Sequence, residues 1–121
     1  MHIPVSLIEA LRLGTPLAAE IPASNPERLA GVIILSKREI KDYQARDEGW
    51  KARIPDRTFF VYWREYSRHY IENNWDIAPD EGMWELKRAE VVGEQALEQL
   101  LNEWGIPLET LTYLWKTDIP E

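Results

Sequence analysis

The sequence predicts an α+β fold. The expectation is a single small domain spanning residues 1–121, with a mixed sheet packed against three or four helices and a C-terminal β-α-β unit. Three observations carry it. The chain has 121 residues, the size of one domain, and 45 % of them are hydrophobic, enough for a core. Apolar residues recur at helical spacing near both ends. Between them lie short runs rich in β-branched and aromatic residues, which suit strands.

Taken in order, the first element is a helix from about Pro4 to Leu13. Pro4 suits its first position, Gly14 its end, and Val5, Leu7, Ile8 and Leu11 form an apolar face. Residues 14–26 hold three prolines and are expected to be a long surface connection. Ala30 to Leu35 suits a buried strand. Ser36-Lys37-Arg38-Glu39 then has the pattern of a capping box opening a helix over 37–48, closed by Gly49. A single helix from Pro26 to Glu48 is the rival, weakened by Gly31 and the Val-Ile-Ile run.

Residues 57–75 admit two structures. Phe59-Phe60-Val61-Tyr62-Trp63 has strand propensity. On a helical wheel, however, Phe59, Tyr62, Trp63, Tyr66 and Tyr70 share one side, while Arg57, Arg64, Glu65, Arg68 and Glu72 share the other. That segregation favours a helix, with a strand at 57–66 as the alternative. Further on, Ala78-Pro79-Asp80-Glu81-Gly82 is turn chemistry, and Met83 to Val92 reads as a strand. A helix follows from Gly93-Glu94 to Trp104, stopped by Gly105 and Pro107, and then a final strand over 109–116. Trp104 and Trp115 fall on apolar faces and are assigned to the core.

Composition bounds the chemistry. The chain has no cysteine, which removes disulfides, thiol nucleophiles, iron–sulfur clusters and cysteine zinc sites. The beginning of the chain has neither the basic nor the long apolar segment of a targeting signal. The longest aliphatic run, Val32 to Leu35, is too short for a bilayer. A soluble, cytoplasmic protein is expected.

The net charge of −7 is unevenly spread: −1 over residues 1–49, +2 over 50–75 and −8 over 76–121. That balance repels nucleic acid backbones and anionic membranes and suits a basic protein partner.

Motifs for catalysis are sparse. There are two histidines, and His-x-x-x-His and His-Glu-x-x-His spacings are absent. Asp76, Asp80 and Glu81 lack the spacing of a calcium loop. The six glycines form no phosphate-binding loop and no nucleophile elbow. No metal and no cofactor are therefore expected. His69 and Glu65, four apart on a helix, are the candidate catalytic pair, against the plainer alternative of a surface ion pair.

Six tryptophans are the other resource: Trp50, Trp63, Trp75, Trp84, Trp104 and Trp115. Trp63, Trp75 and Trp84, with Arg64 and Arg68, are the candidate binding residues, although each tryptophan is also ordinary core-edge material. Arginines interleaved with aromatics over 50–70 resemble a nucleic-acid stacking platform, but internal pairing with the acidic C-terminal third explains them better at this net charge.

Three functions follow. The preferred one is a protein-binding module or inhibitor presenting an acidic, tryptophan-containing surface to a basic partner protein. The alternatives are a small metal-independent enzyme or ligand-binding protein using His69 and Glu65 in an aromatic pocket, and a homo-oligomeric structural domain. The lack of motifs weighs against an enzyme without excluding one.

Overall fold

The structure, a computed structural model, describes residues 2–36, 58–75, 77 and 82–120. Among the described residues the α-helices and strands run in the order α1 (Val5–Arg12), β1 (Leu17–Ile21), β2 (Arg28–Ser36), β3 (Thr58–Ser67), α2 (Arg68–Glu72), β4 (Met83–Val92), α3 (Glu94–Glu103) and β5 (Thr112–Tyr113). The strands form one five-stranded sheet in the order β4-β3-β2-β1-β5. Each neighbouring pair is antiparallel.

This corrects the expected mixed sheet against three or four helices with a C-terminal β-α-β unit. The sheet dominates, and α1, α2 and α3 are the α-helices among the described residues. β4 and β5 lie on opposite edges, separated by three strands, so α3 does not join adjacent parallel strands. The final strand shrinks to two residues, flanked by 3₁₀ turns at Leu108–Thr110 and Leu114–Lys116. The expected helix over 37–48 lies outside the described residues.

Two strands were not expected in their observed form. β1 lies inside the proline-rich stretch read as a surface connection. Pro16 and Pro22 bracket a five-residue run whose Leu17, Ala18 and Ala19 are fully buried. A run this short gives no period to read, and only pairing with β2 in the register Leu17↔Ile34 to Ile21↔Ala30 makes it a strand.

β3 occupies most of the segment favoured as a helix. It pairs with β2 from Arg28↔Ser67 to Ser36↔Phe59, and the helix α2 begins only at Arg68. The aromatic residues mimicked a helical face because both faces of the strand are partly covered. Phe59, Val61 and Trp63 point to one side, and Phe60 and Tyr62 to the other.

Each face of the sheet has its own core. On the first, Leu17, Ala19, Val32, Ile34, Phe59 and Val61 pack against Leu7, Ile8 and Leu11 of α1 and Leu97 and Leu101 of α3. The Ser36 hydroxyl donates to the Leu11 carbonyl at 2.6 Å, tying the end of α1 to the end of β2. Arg12, in the last turn of α1, meets Glu94, in the first turn of α3, at 2.7 Å. Each charge there suits the dipole of its own helix.

The second face carries Ala18, Leu29, Ile33 and Tyr66 under Leu114 and Ile119 of the C-terminal tail. Gly31 sits beneath that tail, where a methyl group would overlap the end of Ile119. Being covered on both faces, β2 is a continuous apolar run rather than an alternating one.

Candidate functional site

The end of the sheet where β2 begins and β3 gives way to α2 holds a cleft of about 670 Å³. Asn25, Arg28, Arg68, His69, Glu72 and Trp84 contribute to its lining. β2, β3, β4 and α2 converge here because β3 stops at Ser67, whose hydroxyl accepts from the Tyr70 N–H at 3.4 Å and so caps α2. The Arg68 N–H donates to the Glu27 carbonyl at 3.0 Å, and its Nε donates to the Arg28 carbonyl at 3.2 Å. α2 is thereby strapped to the start of β2. Asn74 closes α2 with a left-handed backbone, φ 54°. Trp75 then turns back edge-on to His69 (4.8 Å) and Tyr70 (5.2 Å).

Beneath the cleft lies Glu65, the one charged residue in the core of the described chain, with 2 % of its surface exposed. Its carboxylate accepts from the Ser24 N–H and the Ser24 hydroxyl, both at 2.7 Å, and from Arg28 Nη1 at 3.1 Å. Burial pushes this carboxyl up. The Ser24 bonds, the Arg28 bond and the Arg28 charge together outweigh that and hold it below its ordinary value. The same Arg28 guanidinium stacks 3.6 Å from the ring centroid of Trp84, whose residue remains 39 % exposed. A buried carboxylate thus fixes an arginine, and the arginine fixes an exposed indole.

The candidate residues separate. Arg68, His69 and Trp84 come together in the cleft, with Trp75, 50 % exposed, against His69. Glu65 and His69 do not form a dyad. Glu65 is at the strand end, engaged by Ser24 and Arg28, and His69 on α2 bonds Asn73 at 3.3 Å. The spacing of four joined them only on the helix that β3 replaces.

Trp63 is elsewhere, on the helix-bearing face, 6.1 Å from Trp104 and under Lys87. Arg64 points to the opposite face, where its Nε donates to Glu85 at 3.2 Å. Arg68 lines the cleft and Arg64 does not. Trp50 and Arg57 lie outside the described residues. Trp115, assigned to the core, is 65 % exposed and stacks on Tyr113. Trp104 is half-buried.

Sequence reasoning missed Ser24 and Arg28. They precede Glu65 by 41 and 37 positions. No local pattern links them, and only the register Ala30↔Glu65 brings them together.

The acidic C-terminal third is partly neutralised from within. Glu85 pairs with Arg64 and Arg88, and Glu94 with Arg12, while Glu98 shares a hydrogen bond of 2.9 Å with the His2 ring. Glu90, Glu103, Glu109 and Asp118 are exposed with no ion-pair partner among the described residues. Also among the described residues, no three His, Asp or Glu side chains group as metal ligands, and no helix is long and apolar enough to cross a membrane.

No protein-family model, curated protein or solved structure matches the chain.

Proposed function

We propose that this chain is a protein-binding module whose contact surface is the cleft around Trp84. One observation carries the reading: Trp84 is exposed yet held in place by Arg28, which is itself held by buried Glu65. An indole ordered before binding loses little conformational freedom on contact. Tryptophan and arginine are also the residues that concentrate binding energy at interfaces. Trp75 on the other side of His69 extends the aromatic surface. Arg68 and His69 beside Glu27 and Glu72 match a partner segment of mixed charge. The net charge of −7, with Glu103, Glu109 and Asp118 lacking an ion-pair partner among the described residues, favours a partner that is basic overall, drawn in by long-range attraction. The cysteine-free composition suits a cytoplasmic setting.

The test is affinity capture at low salt with the wild-type chain, Trp84→Ala and Arg68→Glu side by side. A stoichiometric protein partner that the wild type retains and both variants lose supports the cleft. Capture that neither substitution changes, or no stoichiometric partner at all, overturns it.

A further inference from the structure

We infer that β4 pairs with β4 of a second copy of this chain. β4 is an edge of the sheet and runs for ten residues, most of them exposed. Such an edge presents unpaired backbone donors and acceptors to a further strand. Among the described residues nothing pairs with its outer side. Near its start the register against β3 slips: Trp63 faces Lys87 and Arg64 faces Glu85, so Leu86 is an extra, exposed residue. That bulge ends the regular run on the side toward Trp84. Residues 87–92 continue in unbroken register with β3.

The order of side chains on this run matches its own reverse. Arg88 opposes Tyr62 and Glu90 opposes Phe60, so both project from the same face. A two-fold axis normal to the sheet, midway between the Ala89 of each copy, would set Arg88 of one copy opposite Glu90 of the other, twice. Cross-strand pairs of opposite charge stabilise a sheet, and like charges directly opposite destabilise it. Glu90 has no ion-pair partner among the described residues. Arg88, paired through one nitrogen with Glu85, keeps further donors. Because the contact is isologous, it closes as a dimer with one continuous ten-stranded sheet. The regular run ends before Trp84.

The experiment is sedimentation velocity over a concentration series at physiological ionic strength. There, repulsion between two chains of charge −7 is screened beyond about 8 Å. Wild type should show a reversible monomer–dimer equilibrium. Arg88→Glu and Glu90→Arg should each weaken it by about tenfold or more, since two attractive pairs become repulsive. An equimolar mixture of the two variants restores both pairs and should recover the dimer, as should the double swap, which also shows that the fold is intact. A wild-type chain that stays monomeric throughout, a dimer indifferent to either reversal, or a mixture that fails to recover would each refute the pairing.

Discussion

Arg28 joins the interior of this protein to its surface: one face of its guanidinium lies 3.6 Å from the centre of the Trp84 ring, and its Nη1 donates to buried Glu65. Removing the carboxylate leaves Arg28 and the Ser24 N–H without their acceptor. Leaving buried donors without their acceptor costs about 1–3 kcal/mol, and Arg28 keeps enough exposure to be partly rehydrated. Glu65→Ala should lower unfolding stability by that order in urea titration, and it should alter the fluorescence of Trp84 in the folded state. A chain that loses less than about 1 kcal/mol would show that the network does not hold this end of the sheet together.

Acid should act through the same carboxylate. Its folded pKa lies below its ordinary value of 4.5, so at low pH the unfolded chain takes up the proton more readily. The stabilisation is full above the unfolded value and is lost as pH falls through the folded one. Stability measured from pH 7 downward should therefore fall more steeply in wild type than in Glu65→Gln. Parallel curves would remove Glu65 as a source of the acid dependence.

Tyr66 predicts the opposite limb. Burial raises its pKa above 10, with Arg64 opposing and Glu85 adding to the rise. The unfolded chain then loses the phenolic proton first, so stability falls as pH rises beyond about 10. The hydroxyl is buried and makes no hydrogen bond of good geometry among the described residues, although the Arg64 guanidinium lies near enough to oppose the rise. Tyr66→Phe should be neutral or stabilising by up to about 1 kcal/mol at neutral pH, and should flatten the alkaline decline. A loss of about 2 kcal/mol would mean that the hydroxyl is satisfied after all.

Gly31 tests the C-terminal tail. Any side chain there meets Ile119, and behind it the Ala19 carbonyl. Gly31→Val should cost about 1–3 kcal/mol, the usual range for overpacking. Gly31→Val combined with Ile119→Ala should cost less than the two changes summed, because the smaller residue makes room. Strict additivity in thermal unfolding would show that the tail does not rest on Gly31.

Much of the fold was legible where a segment answers to its own chemistry. Strand β4 occurs at the expected residues, Met83–Val92, and α1 and α3 lie within one or two residues of their expected limits, because amphipathic spacing and flanking Pro and Gly residues are local signals. The site was less so. His69, Arg68 and Trp84 were singled out and do meet, but Glu65 turned inward and Trp63 and Arg64 went to opposite faces.

The amino-acid sequence by itself determined a cysteine-free, acidic chain with a sizeable apolar fraction and four elements, α1, β2, β4 and α3, that declare their own type. Tertiary structure alone decided that Leu17–Ile21 is a strand, that Thr58–Ser67 is a strand rather than a helix, and that Ser24, Arg28, Glu65 and Trp84 form one chain of contacts. The physical reason is that strands gain their hydrogen bonds from residues distant in sequence. The pairing of β2 with β1 and β3 therefore outweighed the local periodicity, and the same register carried the site residues to one place.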